Sequence, residues 1–145
     1  ITDPDMTRFF LTLPQAAAFC LDALDAMEGG EIFVPRLPAT ALHTLARAVG
    51  NGVYPPFVRT GLRPGGEKLH EALLSREEPA RTYRLSVHCQ TAGWSPMVIY
   101  PSHHSWREQF PHRSDAEQVS GPYTSDAPDQ WLSVKELVEM LKEVP

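Results

Sequence analysis

The run Arg63-Pro64-Gly65-Gly66-Glu67 constrains the backbone more strongly than any other stretch of the chain. Two adjacent glycines can adopt positive φ without steric cost, so the run predicts a tight turn that a ligand can approach closely. An arginine offers a planar, permanently charged fork that binds phosphate through two hydrogen bonds. A carboxylate can accept hydrogen bonds from sugar hydroxyls. The run therefore predicts a site for a phosphorylated sugar compound, with Arg63 on phosphate and Glu67 on ribose.

The residues after the glycines predict a helix that extends from about Glu67 to Leu74. Its apolar residues Leu69, Ala72 and Leu73 are expected to face the core. A helix start also exposes unpaired backbone N–H groups and a positive dipole end, which favour anions. The alternative is an ordinary turn into a helix, with a solvated Arg63.

Length and charge limit the class of protein. The chain has 145 residues, which predicts one domain over residues 1–145, and its net charge of −5 argues against nucleic acid or an acidic membrane as partner. No apolar run reaches the ~20 residues of a membrane helix, and no secretory signal is visible. Cys20 and Cys89 are therefore expected to be reduced thiols of a cytoplasmic protein, with Cys20 packed in a core.

Hydrophobic periodicity predicts short strands interleaved with helices, hence an α/β or α+β fold. The last helix is the best marked, since Ser133 and Glu136 have capping-box spacing. In the first helix, Phe19, Leu24 and Met27 are expected to form one apolar face with Ala16 and Cys20. Strands are predicted over 6–11, 31–35, 57–60, 82–89 and 97–100, with the last two paired, and helices over 12–27, 40–49 and from Ser133.

Several kinds of catalytic site are not supported by the sequence. His103, His104 and His112 lack the spacing of a metal site, so no metal is expected. There is no GxSxG motif for a serine hydrolase and no Walker P-loop. Arg8, inside an apolar run, is either a second phosphate ligand or a strand-end arginine whose head reaches water.

Five stretches, in matching order from Ile1 to about Leu141, resemble the inverting UDP-N-acetylglucosamine 4,6-dehydratases, which are extended short-chain dehydrogenases/reductases. The 63–71 stretch looks like their RPGEKLHE motif, although it has one glycine more, which could displace Glu67 from its sugar contact. The other stretches are similar to MTRFW, GGEIFVPK and two C-terminal motifs; they are Met6–Phe10, Gly29–Pro35, Val98–Ser102 and Tyr123–Ser125 with Gln130–Leu132.

The resemblance implies a C-terminal, substrate-binding part of such an enzyme, without the dinucleotide-binding domain. Arg8, Arg63 and Glu67 would bind the UDP of a UDP-sugar, in a pathway for surface polysaccharide or glycan. NADP is expected in the complete enzyme but not on this chain alone. The expected partners are the missing domain or further copies in a homo-oligomer.

No catalytic residue is assigned to this chain. The NADP motif GxxGxxG is absent. None of the tyrosines at 54, 83, 100 and 123 has a lysine four residues later, as the family's Tyr-x-x-x-Lys pair requires. Two alternatives stay open. One is a non-catalytic nucleotide-sugar binding or assembly module that pairs with a full-length relative. The other is a reused fold with no nucleotide role.

Overall fold

The structure is a computed structural model that describes residues 1–85, 95–101 and 116–142. Short strands alternate with helices, so the fold is mixed α/β, as predicted. The strands are β1 Thr7–Phe9, β2 Ile32–Val34, β3 Ala39–Ala41, β4 Ala72–Leu74, β5 Thr82–Arg84, β6 Met97–Ile99, β7 Glu117–Gln118 and β8 Tyr123–Thr124. The helices are α1 Leu13–Ala26, α2 Leu42–Val49 and α3 Val134–Lys142, with a 3-10 turn at Pro79–Arg81.

Two compact units make up the chain. The first contains Ile1–Thr12, Leu37–Ala72 and Thr124–Pro145, and the second contains Leu13–Arg36 and Leu73–Tyr123. In the first unit, β1 pairs antiparallel with β3, and Arg8 lies opposite Thr40. Strands β4 and β8 form a separate two-stranded sheet, and three of their five residues, Leu73, Leu74 and Tyr123, belong to the second unit.

The core of the first unit lies between α2 and α3. Ala48 of α2, Leu137 of α3 and Leu132 just before α3 are buried together, and partly buried apolar side chains pack around them, namely Phe10, Leu45, Val134, Val138 and Met140. The apolar spacing on both helices brings these side chains to one face. Phe10, the residue after β1, is thus part of this core.

The predicted capping box of α3 is confirmed. The backbone N–H of Ser133 donates to a carboxylate oxygen of Glu136 at 2.8 Å, and the Glu136 N–H donates back to Ser133 Oγ at 3.3 Å. These bonds pair backbone donors that a helix start leaves without intrahelical partners. Hydrogen bonds from Ser133 also lower the pKa of the Glu136 carboxyl.

The second unit contains α1 and a four-stranded sheet in the order β2-β6-β5-β7. The strands β5 and β6 are antiparallel, with Tyr83 opposite Val98, so the predicted pairing is confirmed. All three residues of β6 are buried, as expected for a central strand. The predicted strand 82–89 is confirmed for its first part only, because residues 86–94 lie outside the described ranges.

Two predicted elements are wrong. Residues 67–74 do not form a helix: a turn at residues 64–66 is followed by a bend at 69–70 and by strand β4. The apolar positions of this stretch fit both a helical and a strand pattern, and its tertiary partner β8 decides for the strand. Residues 57–60 form no strand, and Pro55 and Pro56 precede them without a backbone donor.

The prediction that Cys20 of α1 packs in a core is also wrong, and the predicted apolar face of this helix is only partly buried. Phe19 is buried, but Leu24 is 63% exposed, Met27 is 47% exposed, and Cys20 is exposed rather than packed in a core. Apolar spacing reports which residues share a face, and the described part of the chain leaves most of this face uncovered. Cys89 lies outside the described residues.

Replacement of Leu137 by alanine tests the α2–α3 core. Leu137 is 1% exposed, so the L137A variant should lose about 2–5 kcal/mol of unfolding free energy in urea denaturation. Leu141→Ala is the control, because this leucine of the same helix is 38% exposed. Equal losses for the two variants would contradict the assignment of this core.

Candidate functional site

The Arg63–Glu67 turn keeps its tight geometry without a helix after it. Gly65 has a φ of 107° and Gly66 a φ of 103°, values that L side chains rarely adopt. A Cβ atom at either position would meet no atom within 4 Å beyond the adjacent residues, so glycine is needed here for its backbone conformation and not for space. The backbone reverses, and the two ends of the turn come together.

Arg63 and Glu67, both predicted as ligands, bind each other across this turn. Arg63 Nη2 donates to Glu67 Oε1 at 2.9 Å, and Arg63 Nε lies 3.3 Å from both carboxylate oxygens. The backbone N–H of Arg63 also donates to Glu67 Oε2 at 2.8 Å. The Arg63 side chain is 78% exposed, whereas that of Glu67 is 12% exposed.

The pair changes the acid–base properties of both groups. Hydrogen bonds from the Arg63 side chain and backbone lower the pKa of the Glu67 carboxyl, and the charge of Arg8 contributes in the same direction. The pKa of Arg63 is raised by Glu67. Because the carboxyl pKa is lower in the folded chain, the pair stabilises the turn above the unfolded pKa, and this contribution is lost as pH falls through the folded pKa.

The Arg8 side chain binds backbone carbonyls of the residues after the turn. Its Nη1 donates to the Leu69 carbonyl at 3.1 Å and to the Thr7 carbonyl at 2.6 Å, and its Nη2 donates to the Lys68 carbonyl at 3.0 Å. Arg8 Nε lies 3.7 Å from Glu71 Oε1. The guanidinium therefore connects β1 to residues 68–71.

Buried hydroxyl groups make a second connection between the same segments. Thr7 Oγ1 lies 2.7 Å from Ser125 Oγ and 2.8 Å from His70 Nδ1. Ser125, which is 0% exposed, also accepts a hydrogen bond from the Glu71 N–H and donates its own N–H to the Glu71 carbonyl, both at 2.8 Å. Three segments distant in sequence thus meet in one network.

One set of hydrogen positions uses every donor in this network. Ser125 O–H donates to the Thr7 carbonyl at 3.1 Å, Thr7 O–H donates to Ser125 Oγ, and His70 Nδ1–H donates to Thr7 Oγ1. The neighbouring Asp126 has a lowered carboxyl pKa, chiefly through a hydrogen bond from the Thr124 side chain and also through the charge of His70.

The structure brings Arg63, Glu67 and Arg8 close to one another, and their binding roles stay predictions. Sequence reasoning missed Thr7 and Ser125 and gave His70 no role. The available signal was that each of the three residues lies inside one of the motifs that carry the family resemblance. His103, His104 and His112 lie outside the described residues.

Comparison with known proteins identifies the family. The family model described as "Polysaccharide biosynthesis protein" matches residues 1–92, and the chain belongs to this family. It is 31% identical, over 97% of its length, to a UDP-N-acetylglucosamine 4,6-dehydratase (inverting) of Campylobacter jejuni subsp. jejuni serotype O:23/36 (strain 81-176). The chain spans 41% of that relative's length.

Other relatives match a shorter part of the chain. A UDP-glucose 4-epimerase of Rickettsia bellii (strain OSU 85-389) is 36% identical over 56% of the chain and 24% of its own length. Among solved structures, Pen from Bacillus thuringiensis superposes with a TM-score of 0.73 at 24% identity, covering 99% of this chain and 40% of Pen. This last likeness shows the fold alone.

In residues 1–85, 95–101 and 116–142, no three His, Cys, Asp or Glu side chains are grouped to hold a metal ion. None of the helices in these ranges has the length and apolar character needed to cross a membrane.

Replacement of Ser125 by alanine tests the hydroxyl network. The S125A variant leaves the Glu71 N–H without its acceptor, so the free energy of unfolding should fall by about 1–3 kcal/mol. Ser120→Ala, at an exposed position, is the control and should change it by less than about 0.5 kcal/mol. An S125A variant as stable as S120A would show that the network contributes little.

Replacement of Arg63 by alanine tests the cause of the Glu67 shift. The R63A variant removes the side-chain hydrogen bonds, so the pKa of the Glu67 carboxyl should rise toward its ordinary value. Carbon-13 NMR titration of the Glu67 carboxyl measures this directly. Arg59→Ala, which removes an exposed arginine nearby, should leave that pKa unchanged; equal shifts would point to general charge instead of the pair.

Proposed function

We propose that this chain is the UDP-sugar-binding part of a UDP-N-acetylglucosamine 4,6-dehydratase-like enzyme of surface polysaccharide biosynthesis. The observation that carries the proposal is the Arg63 guanidinium, 78% exposed and attached to a tight glycine turn. An exposed, oriented arginine fork fits the oxygens of a diphosphate. The relatives support the UDP part, because the dehydratase and the epimerase are named for different reactions but both for a UDP-sugar.

Arg63 is the direct phosphate ligand in this proposal. Arg8, the second predicted ligand, would have to exchange backbone carbonyls for phosphate oxygens, or would act by its charge from its present position. A cytoplasmic location belongs to the same proposal, with a homo-oligomer or a dinucleotide-binding domain as partner.

The described residues offer no turn of the kind that binds the pyrophosphate of NADP. Pyrophosphate sites of the dinucleotide-binding type use a glycine-rich turn between a strand and a helix. Of the strand-to-helix connections in the described ranges, residues 10–12 and 125–133 contain no glycine, and β3 runs directly into α2. Hydride transfer by NADP is therefore assigned to another part of such an enzyme, and this chain is proposed to bind and orient the UDP-sugar.

A second candidate function is an assembly module that pairs with a full-length relative. It is favoured by the exposed apolar side chains of α1, among them Leu13 at 83%, Leu21 at 62% and Leu24 at 63% exposure. Apolar surface of this kind is typical of protein contacts. Mixing the chain with a full-length relative should then give a complex or a change in activity. The absence of both would rule out pairing.

Calorimetric titration of the purified chain with UDP tests the first proposal. Binding should be measurable, and R63A should weaken it by about 10- to 100-fold, the range for hydrogen bonds to charged groups. Arg59→Ala is the matched control, since it removes the same charge from an exposed position four residues away; its effect should be about 2-fold or less. Equal effects of the two variants, or no binding by the folded chain, would refute the proposal.

A further inference from the structure

We propose that Glu67 is a positioning residue that orients the Arg63 guanidinium toward the diphosphate, and that it does not bind the ribose. This inference rests on the proposed function, because it assigns a role within the UDP site. It replaces the expectation that Glu67 accepts hydrogen bonds from sugar hydroxyls. Four contacts within the Arg63–Glu67 turn carry it.

The Glu67 carboxylate occupies one edge of the guanidinium. It binds Nε and one N–H of Nη2, which together form the side edge of the group. Arginine has five N–H donors in a fixed plane, so both N–H groups of Nη1 and the other N–H of Nη2 remain. Among the described residues, no further hydrogen bond of these donors is seen. The Nη1–Nη2 edge is thus the one presented for a bidentate phosphate contact.

The carboxylate is itself held by the backbone. Glu67 Oε2 accepts the Arg63 N–H at 2.8 Å, so the guanidinium is tied through Glu67 to its own main chain. The Glu67 side chain is 12% exposed, against 78% for Arg63. Glu67, the covered residue, can therefore hold Arg63 in place, and Arg63, the exposed residue, can contact a ligand.

Both carboxylate oxygens of Glu67 already accept hydrogen bonds from Arg63. Oε1 lies 2.9 Å from Nη2 and 3.3 Å from Nε, while Oε2 lies 2.8 Å from the backbone nitrogen and 3.3 Å from Nε. These contacts come from three N–H groups, and a carboxylate has about four lone-pair sites, so it could accept only one ribose hydroxyl without losing an Arg63 contact. Binding of both ribose hydroxyls would therefore release an Arg63 contact and leave the guanidinium less firmly oriented for the phosphate.

The charge of Glu67 acts on phosphate binding in the opposite direction to its orienting contacts. Whether a substitution of Glu67 strengthens or weakens binding therefore shows which effect is larger. A carboxylate beside a phosphate repels it, so its removal strengthens binding if charge dominates. If orientation dominates, its removal weakens binding, because Arg63 must then lose rotamer freedom when the ligand binds. We expect orientation to dominate, because the Arg63 guanidinium, 2.9 Å from Glu67 Oε1, offsets the charge of the carboxylate.

Two ligands separate the positioning role from ribose binding. In calorimetry, Glu67→Ala should weaken UDP and inorganic pyrophosphate to the same degree, by about 3- to 10-fold, since both contact Arg63. Glu67→Gln keeps an acceptor oxygen and should fall between the wild type and E67A. Glu77→Ala, which removes an exposed carboxylate elsewhere, is the control and should change neither affinity.

A double-mutant cycle tests whether Glu67 acts through Arg63. The R63A/E67A double variant should bind UDP no more weakly than R63A, because the group that Glu67 orients is already gone. Additive losses would overturn the proposal.

The remaining outcomes are distinct. Loss of UDP affinity with unchanged pyrophosphate affinity would assign Glu67 to the ribose, and tighter binding by E67A would make it a competitor of the phosphate; either result overturns the positioning role but leaves the UDP site standing. A folded wild-type chain that binds neither ligand would overturn the proposed function and this inference together. Circular dichroism verifies folding, and E67Q, with the smaller change, serves if E67A does not fold.

Discussion

The buried contact between Thr7 Oγ1 and Ser125 Oγ, at 2.7 Å, joins the start of the first unit to its last third. Both side chains are almost fully buried, so an unpaired hydroxyl there would carry the desolvation cost of a polar group. His70 and the backbone of Glu71 complete the pairing, which brings the segment after the glycine turn into the same network. The position of the candidate site depends on this network, because β1 and residues 68–71 are held on either side of it.

The two arginines differ in what their donors do. Arg8 donates hydrogen bonds to the carbonyls of residues 68 and 69, and its side chain is 24% exposed. Arg63 binds Glu67 through one edge of its guanidinium, and its side chain is 78% exposed. A guanidinium bound to backbone carbonyls fixes the chain, and an oriented, exposed one can receive an anion. The same residue type thus holds the framework at one position and offers the proposed ligand contact at the other.

Sequence reasoning located most elements, because the periodicity of α2 and the cap of α3 are local properties. It failed at residues 67–74, where the pairing of β4 with β8 outweighs a helical pattern, and on α1, where exposure depends on what covers the helix. It could also place Arg63 and Glu67 beside one turn, because five consecutive residues fix that proximity. It could not find Thr7 and Ser125 as partners, because 118 residues separate them and nothing in composition marks buried hydroxyls as paired.

The central claim is that Arg63 receives the diphosphate on its Nη1–Nη2 edge while Glu67 holds the other edge. A crystal structure of the chain with UDP is the most direct test. The account predicts phosphate oxygens about 2.7–3.1 Å from Nη1 and Nη2, with the contacts between Glu67 and the Arg63 Nε and backbone N–H retained. A diphosphate bound away from Arg63, or a Glu67 carboxylate turned from Arg63 to the ribose hydroxyls, would contradict it.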